Sequence, residues 1–170
     1  ARTRVEVEYL LALADRLHRA RSLPTATATG RSSDQPTVRS SSSHTLPVAV
    51  CGAHMSGLAL NHQLTQRHAR LRLCTHSAPQ YRLYALPGGP PERPGLVRDP
   101  NDGRRIGLEV WDVPLQQVGS LLAEIPPPLG LGRVELDDGS TVAGFLCEAY
   151  ATREARDVTE FGNWRQYLAG

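Results

Sequence analysis

The run Val48-Ala-Val-Cys-Gly-Ala-His-Met-Ser-Gly-Leu-Ala-Leu-Asn-His-Gln-Leu64 decides how this chain is read. Val48 to Cys51 is a short apolar run, the pattern of a buried strand. Gly52 and Gly57 then interrupt it, and a short helix is expected around Asn61–His68. Strand, glycine-punctuated loop and helix present backbone N–H groups where an anion can sit. His54 lies inside that loop. An imidazole there is a candidate proton donor or acceptor near neutral pH. The plainer reading is a loop histidine that caps a neighbouring carbonyl.

Working outward, residues 47–170 read as one α+β domain. Leu71–Thr75 and Gln80–Leu86 are expected strands, and Pro87 to Pro94 is a Gly/Pro loop. Gly95–Arg98 is a short strand, and Gly107–Val113 alternates as a strand should. Pro114 fits the first turn of a helix through Val118, Leu121 and Leu122 to Ile125, which three prolines end. Gly132–Leu136 and Thr141–Cys147 form a hairpin across Asp137-Asp-Gly-Ser140. Helical turns are expected around Ala151–Arg156 and Glu160–Tyr167. Many short strands with one main helix fit a small, partly open β-barrel of mostly antiparallel strands. Before it, residues 1–22 carry an amphipathic helix, with Leu10, Leu13, Ala14 and Leu17 at helical spacing. Residues 23–46 are rich in Ser, Thr, Pro and Gly and read as a flexible linker.

Composition excludes several functions. The formal net charge of +2 shows no clustered basic face, so nucleic acid is not an expected partner. All 19 basic side chains are Arg. Without Lys there is no Schiff base and no Ser–Lys nucleophilic centre. Cys51, Cys74 and Cys147 have no metal-type spacing, and each sits in an apolar strand-like run. They are expected to be buried thiols in a reducing cytoplasm. No apolar run reaches the length of a membrane span, so a membrane is not expected either.

Further segments carry a resemblance. They are Tyr81-Arg-Leu-Tyr-Ala-Leu-Pro-Gly-Gly-Pro-Pro-Glu-Arg-Pro-Gly-Leu-Val-Arg98, Leu108-Glu-Val-Trp-Asp-Val-Pro114, Ile125-Pro-Pro-Pro-Leu-Gly-Leu-Gly132, Gly144-Phe-Leu-Cys-Glu148 and Phe161-Gly-Asn-Trp-Arg165. With the opening run they occur in the order of the C-terminal domain of allophanate hydrolase, the enzyme of the urea amidolyase route, which the chain resembles. The resemblance implies a γ-glutamyl cyclotransferase-like barrel over residues 47–170. Residues 1–22 resemble the last helix of the preceding amidase domain. It also implies cytoplasmic urea degradation and decarboxylation of N-carboxycarbamate, a small dicarboxylate that the amidase domain releases. Neither metal nor organic cofactor is implied. The family's amidase centre uses a catalytic Lys, which this chain lacks. The expected partners are the amidase domain of the same polypeptide and, as an open alternative, a second copy in a homodimer.

Within that frame His54 is the candidate catalytic residue. Gly52, Ala53 and Met55, with the amide of His54, are candidate substrate-binding backbone. Gln63 and Tyr84 are candidate hydrogen-bond donors. Arg82 and Arg98 suit carboxylate binding, but a structural or surface role is the favoured reading for each. Glu148 is a candidate orienting or substrate-contacting carboxylate, or a strand-end salt bridge, and Glu109 is the other core-strand glutamate. His62, on the helix after the loop, competes with His54. No third ligand completes a metal site with these histidines. Pro-Pro-Pro-Leu-Gly-Leu-Gly stands where true cyclotransferases carry their glutamate motif, which argues against that activity. The architectural alternative is a non-catalytic module that supports the amidase domain. A closed polar pocket around His54, against a flat apolar patch, separates the two.

Overall fold

The computed structural model describes residues 44–170. The helix expected over residues 1–22, and the linker as far as residue 43, lie outside the described residues. The elements in chain order are strand β1 (Thr45–Val50), helix α1 (Asn61–Thr65), strands β2 (Arg70–His76), β3 (Tyr81–Leu86), β4 (Arg93–Arg98) and β5 (Gly107–Pro114), helix α2 (Leu115–Ala123), strands β6 (Leu129–Glu135), β7 (Thr141–Cys147) and β8 (Arg156–Asp157), and helix α3 (Trp164–Ala169). Short 3-10 helices occupy Ala149–Glu154 and Thr159–Phe161.

One sheet has five strands in the order β2-β5-β1-β7-β6, and a second has three in the order β4-β3-β8. Every pairing is antiparallel except β1 with β7. The fold is therefore the α+β, mostly antiparallel, partly open architecture expected. The sheets meet where β4 crosses β7: a Cβ at Gly95 would lie 2.8 Å from Cys147 Sγ. Glycine at that point lets two backbones approach closely enough to close the core.

Strand β5 lies between β1 and β2, and its first five residues are all buried. Leu108 and Val110 fill the core on one face, while Glu109 and Trp111 are covered on the other. The segment Phe161–Arg165 lies against β5, with Arg165 pairing with Glu109 and Asn163 packing on Gly107. Gly162, at φ 62°, turns the chain so that its carbonyl accepts from Gly107 N–H at 2.7 Å. Asn163 then caps α3 through its side chain, and Trp164 is 1% exposed in the core.

Several boundaries differ from the sequence reading. β1 begins at Thr45, because its ladder with β5 runs on through Thr45↔Pro114. Pro114 is therefore the last residue of β5 with extended backbone, ψ 131°, and α2 starts one residue later. β4 starts at Arg93, inside the Gly/Pro loop, because it pairs with Leu86 at that residue. β6 starts at Leu129, since Gly130 and Gly132 continue its ladder with β7. Cys51 and Cys147 are buried as expected, but Cys74 is exposed. It sits on β2, the sheet edge, which none of the other described elements covers.

Candidate active site

β1 ends in the core at Val50, and the chain turns sharply through Cys51 and Gly52. A Cβ at Gly52 would lie 2.2 Å from Pro94 Cγ, so β4 reaches the loop only because residue 52 has no side chain. The loop is held by its own backbone, with Met55 N–H donating to Gly52 O at 2.8 Å and Leu60 N–H to Ala53 O at 2.8 Å. Asn61 Nδ2 donates to the carbonyl of His54 at 2.9 Å. Its outer end is anchored by Glu109. That carboxylate, 3% exposed, accepts from Ser56 N–H at 2.8 Å, Ser56 Oγ at 3.0 Å, Trp111 Nε1 at 3.0 Å and Arg165 Nη2 at 2.8 Å. Burial pushes the Glu109 carboxyl up, but these donors outweigh it and hold the group below its ordinary 4.5.

His54 is 9% exposed and stacks on Phe145, ring centroids 5.5 Å apart. Its Nε2 donates to Gln63 Oε1 at 2.7 Å, which fixes the neutral tautomer. Nδ1 has no hydrogen bond among the described residues. Among the described residues no fully buried side-chain nitrogen or oxygen lacks a partner, so Nδ1 is accessible on a ring that lines the adjoining pocket. Burial lowers the imidazole pKa below its ordinary 6.5, and the Gln63 hydrogen bond offsets this only in part. The empty site therefore favours neutral imidazole with an accepting Nδ1.

The pocket beside it encloses ≈ 60 Å³. Its floor is the loop Cys51–His54 and its walls come from the β4 start, the α2 end and β6–β7. Most of the lining is apolar, including Val50, Ile125, Leu129 and Phe145, so the site is neither the closed polar pocket nor the flat apolar patch expected as alternatives. The charged residues in the lining are Arg93 and Glu124. Glu124 is half-exposed at the rim and paired with Arg67 at 2.5 Å. Arg67 also donates to the carbonyl of Gln63 at 2.8 Å, so the residue that orients His54 is itself held. Burial pushes the Cys51 thiol up to about 12, which keeps it uncharged in the pocket wall.

The structure gathers some of the sequence candidates and disperses others. His54, Gly52 and Ala53 line the pocket, and Gln63 binds His54. The amide of Met55 is committed to Gly52, whereas the amides of Ala53 and His54 have no partner among the described residues. His62 is exposed and its Nδ1 lies 2.9 Å from Ala59 O, a helix-surface cap. Arg82 pairs with Asp157 and with Asp99, lies over the Tyr84 ring, and is outside the pocket with Tyr84. Arg98 pairs with Glu135. Glu148 is exposed and is not in the lining. Arg93, Glu124 and Phe145 complete the pocket although the sequence did not single them out. Arg93 was hidden in the Gly/Pro run, and nothing in local periodicity brings α2's end to the loop. Among the described residues no three His, Cys, Asp or Glu side chains converge as a metal site. No described helix is long and apolar enough to cross a membrane.

The pocket's setting can be compared with known proteins. The chain is 40% identical over 131 residues to urea amidolyase of Saccharomyces cerevisiae, a match that covers 74% of this chain and 7% of that protein. It superposes on Kluyveromyces lactis allophanate hydrolase with TM-score 0.71 at 38% identity, over 74% of this chain and 21% of that one. A uropathogenic E. coli-specific protein matches with TM-score 0.70 at 32% identity, over 74% of this chain and 97% of its own. The chain thus spans a small part of the two larger relatives and nearly all of the third. A fainter likeness, 17% identical, reaches an aig2-like protein and shows the fold alone. The model of the allophanate hydrolase C-terminal domain matches residues 46–169, and the chain belongs to that family.

Proposed function

We propose that this domain decarboxylates N-carboxycarbamate, with His54 as the proton donor. The observation that supports the reading best is the His54 ring, oriented by Gln63 through Nε2, accessible at Nδ1 and lining a mostly apolar pocket. The substrate is a dianion with two carboxylates on one nitrogen. One C–N bond breaks, its electron pair stays on nitrogen, and CO2 leaves. The proton from His54 Nδ1 completes the remaining carbamate, and the ring is reprotonated from water. Burial keeps the empty site's imidazole neutral, but an entering dianion favours the imidazolium. Substrate binding and proton loading are then one event, which limits proton loss to water. An apolar wall suits this chemistry, because a carboxylate placed there is poorly solvated while departing CO2 carries no charge. In this reading the substrate comes from an amidase domain of the same, cytoplasmic polypeptide.

The test is a single-turnover assay of CO2 release from freshly generated N-carboxycarbamate. The parent chain should accelerate release, His54→Ala should lose about 100-fold or more of that acceleration, and His62→Ala should retain it. Release at the background rate from all three would leave the domain a structural partner of the amidase.

A further inference from the structure

We propose that Arg93 is the carboxylate-binding residue of this pocket and holds the carboxylate that is not lost. The inference rests on the decarboxylation reading and assigns the two ends of the substrate. Beside the neutral His54 ring, the charged side chains of the pocket lining are Arg93 and Glu124. Glu124 is already paired, and its partner Arg67 is committed by Nε to Ser120 Oγ, by Nη1 to Gln63 O and by Nη2 to Ser120 O and Glu124. Arg93 differs from both. It is partly buried in the lining and makes no hydrogen bond or ion pair among the described residues. A guanidinium beside an apolar wall without an acceptor is poorly compensated, and a carboxylate is the ligand its planar fork matches.

Backbone geometry strengthens the assignment. Arg93 opens β4 opposite Leu86, and its neighbour Pro94 packs directly on Gly52, two residues before His54. The cation and the proton donor are therefore positioned by the same contact. The amides of Ala53 and His54, unpartnered among the described residues, add donors on the loop side. A carboxylate held at Arg93 leaves the second one toward the apolar wall of Phe145, Ile125 and Leu129. That second carboxylate is the one expelled as CO2. The product carbamate keeps the anchored carboxylate.

Malonate, an isostere of the substrate with carbon in place of nitrogen, provides a stable probe. Its binding to the 170-residue chain would be measured by calorimetry beside the CO2-release assay. The variants are Arg93→Gln, Arg93→Lys and, as an exposed control on β6, Arg133→Gln, with melting temperatures confirming that each is folded. Arg93→Gln should weaken malonate binding and raise KM by about tenfold or more, the loss of one charge-assisted pair. Arg93→Lys should recover part of the loss by charge alone, and Arg133→Gln should match the parent. Arg93-dependent malonate binding without any acceleration of CO2 release would uphold the anion site and overturn the decarboxylation reading. Malonate binding that is absent from the parent, or equal in parent and Arg93→Gln, would overturn the assignment of Arg93.

Discussion

At the scale of single residues, the site turns on which nitrogen of His54 is engaged. Gln63 occupies Nε2, and in the proposed reaction Nδ1 is the proton donor. Gln63→Leu should keep the fold and lower kcat about tenfold, because one orienting hydrogen bond of about 1.4 kcal/mol is lost. Gln63→Glu should instead raise the pKa of His54, and with it the alkaline limb of the kcat/KM profile, since a carboxylate favours the imidazolium. An unchanged profile in Gln63→Glu would remove Gln63 from the account. The same imidazole leaves a mark on stability. Its pKa is lower folded than unfolded, so between the folded value and 6.5 the unfolded chain binds more protons. His54 therefore makes the melting temperature fall as pH drops below 6.5, and His54→Phe should abolish that component. His54 was legible in the sequence because glycines flank it between a strand and a helix. Arg93 was not, because a Gly/Pro run conceals where β4 begins and alternation does not tell which wall a strand end joins.

At the scale of elements, the loop behaves as a part clamped at both ends. Pro94 of β4 holds it at Gly52, and Glu109 of β5 holds it at Ser56. Gly52→Ala must displace Pro94 or the loop and should cost about 1–3 kcal/mol, read as a lower melting temperature with weakened activity. Glu109→Gln presents an amide where four donors converge and should cost about 2 kcal/mol. The Glu109 carboxyl has a lowered folded pKa, so its stabilisation is present above 4.5 and is lost as pH falls through the folded value. Denaturation titrations of parent and Glu109→Gln should therefore converge in acid. Parallel curves at every pH would contradict the anchoring role. This clamp could not be read from sequence. Glu109 stood out as a core-strand glutamate, but its partners Ser56 and Arg165 lie 53 and 56 residues away and no local pattern joins them. The motif around Asn163 and Arg165 was visible as a pattern, and its purpose appears only when α3 is seen to cap β5.

At the scale of the whole molecule, two sheets meet along β4 and β7, and the pocket lies beside that seam. Its position explains why the site draws on residues from 50 to 145 although each element contributes little. Fold class was accessible from short alternating strands, Gly/Pro punctuation and a single main helix. Strand order was not, since the parallel β1–β7 pairing depends on contacts distant in sequence. Residues 41–170 form one compact unit. Residues 44–170 alone should therefore unfold in one cooperative transition, with coincident calorimetric and fluorescence midpoints. Two separated transitions would show that the sheets are independent units.

The central claim is that a dianion loads a proton onto Nδ1 of His54, and nitrogen NMR of the labelled imidazole tests it most directly. At pH 7 the empty protein should show the neutral ring with its proton on Nε2, and saturation with malonate should convert it to imidazolium with both nitrogens protonated. A ring that remains neutral with malonate bound, or that carries its proton on Nδ1 in the empty protein, would contradict the account.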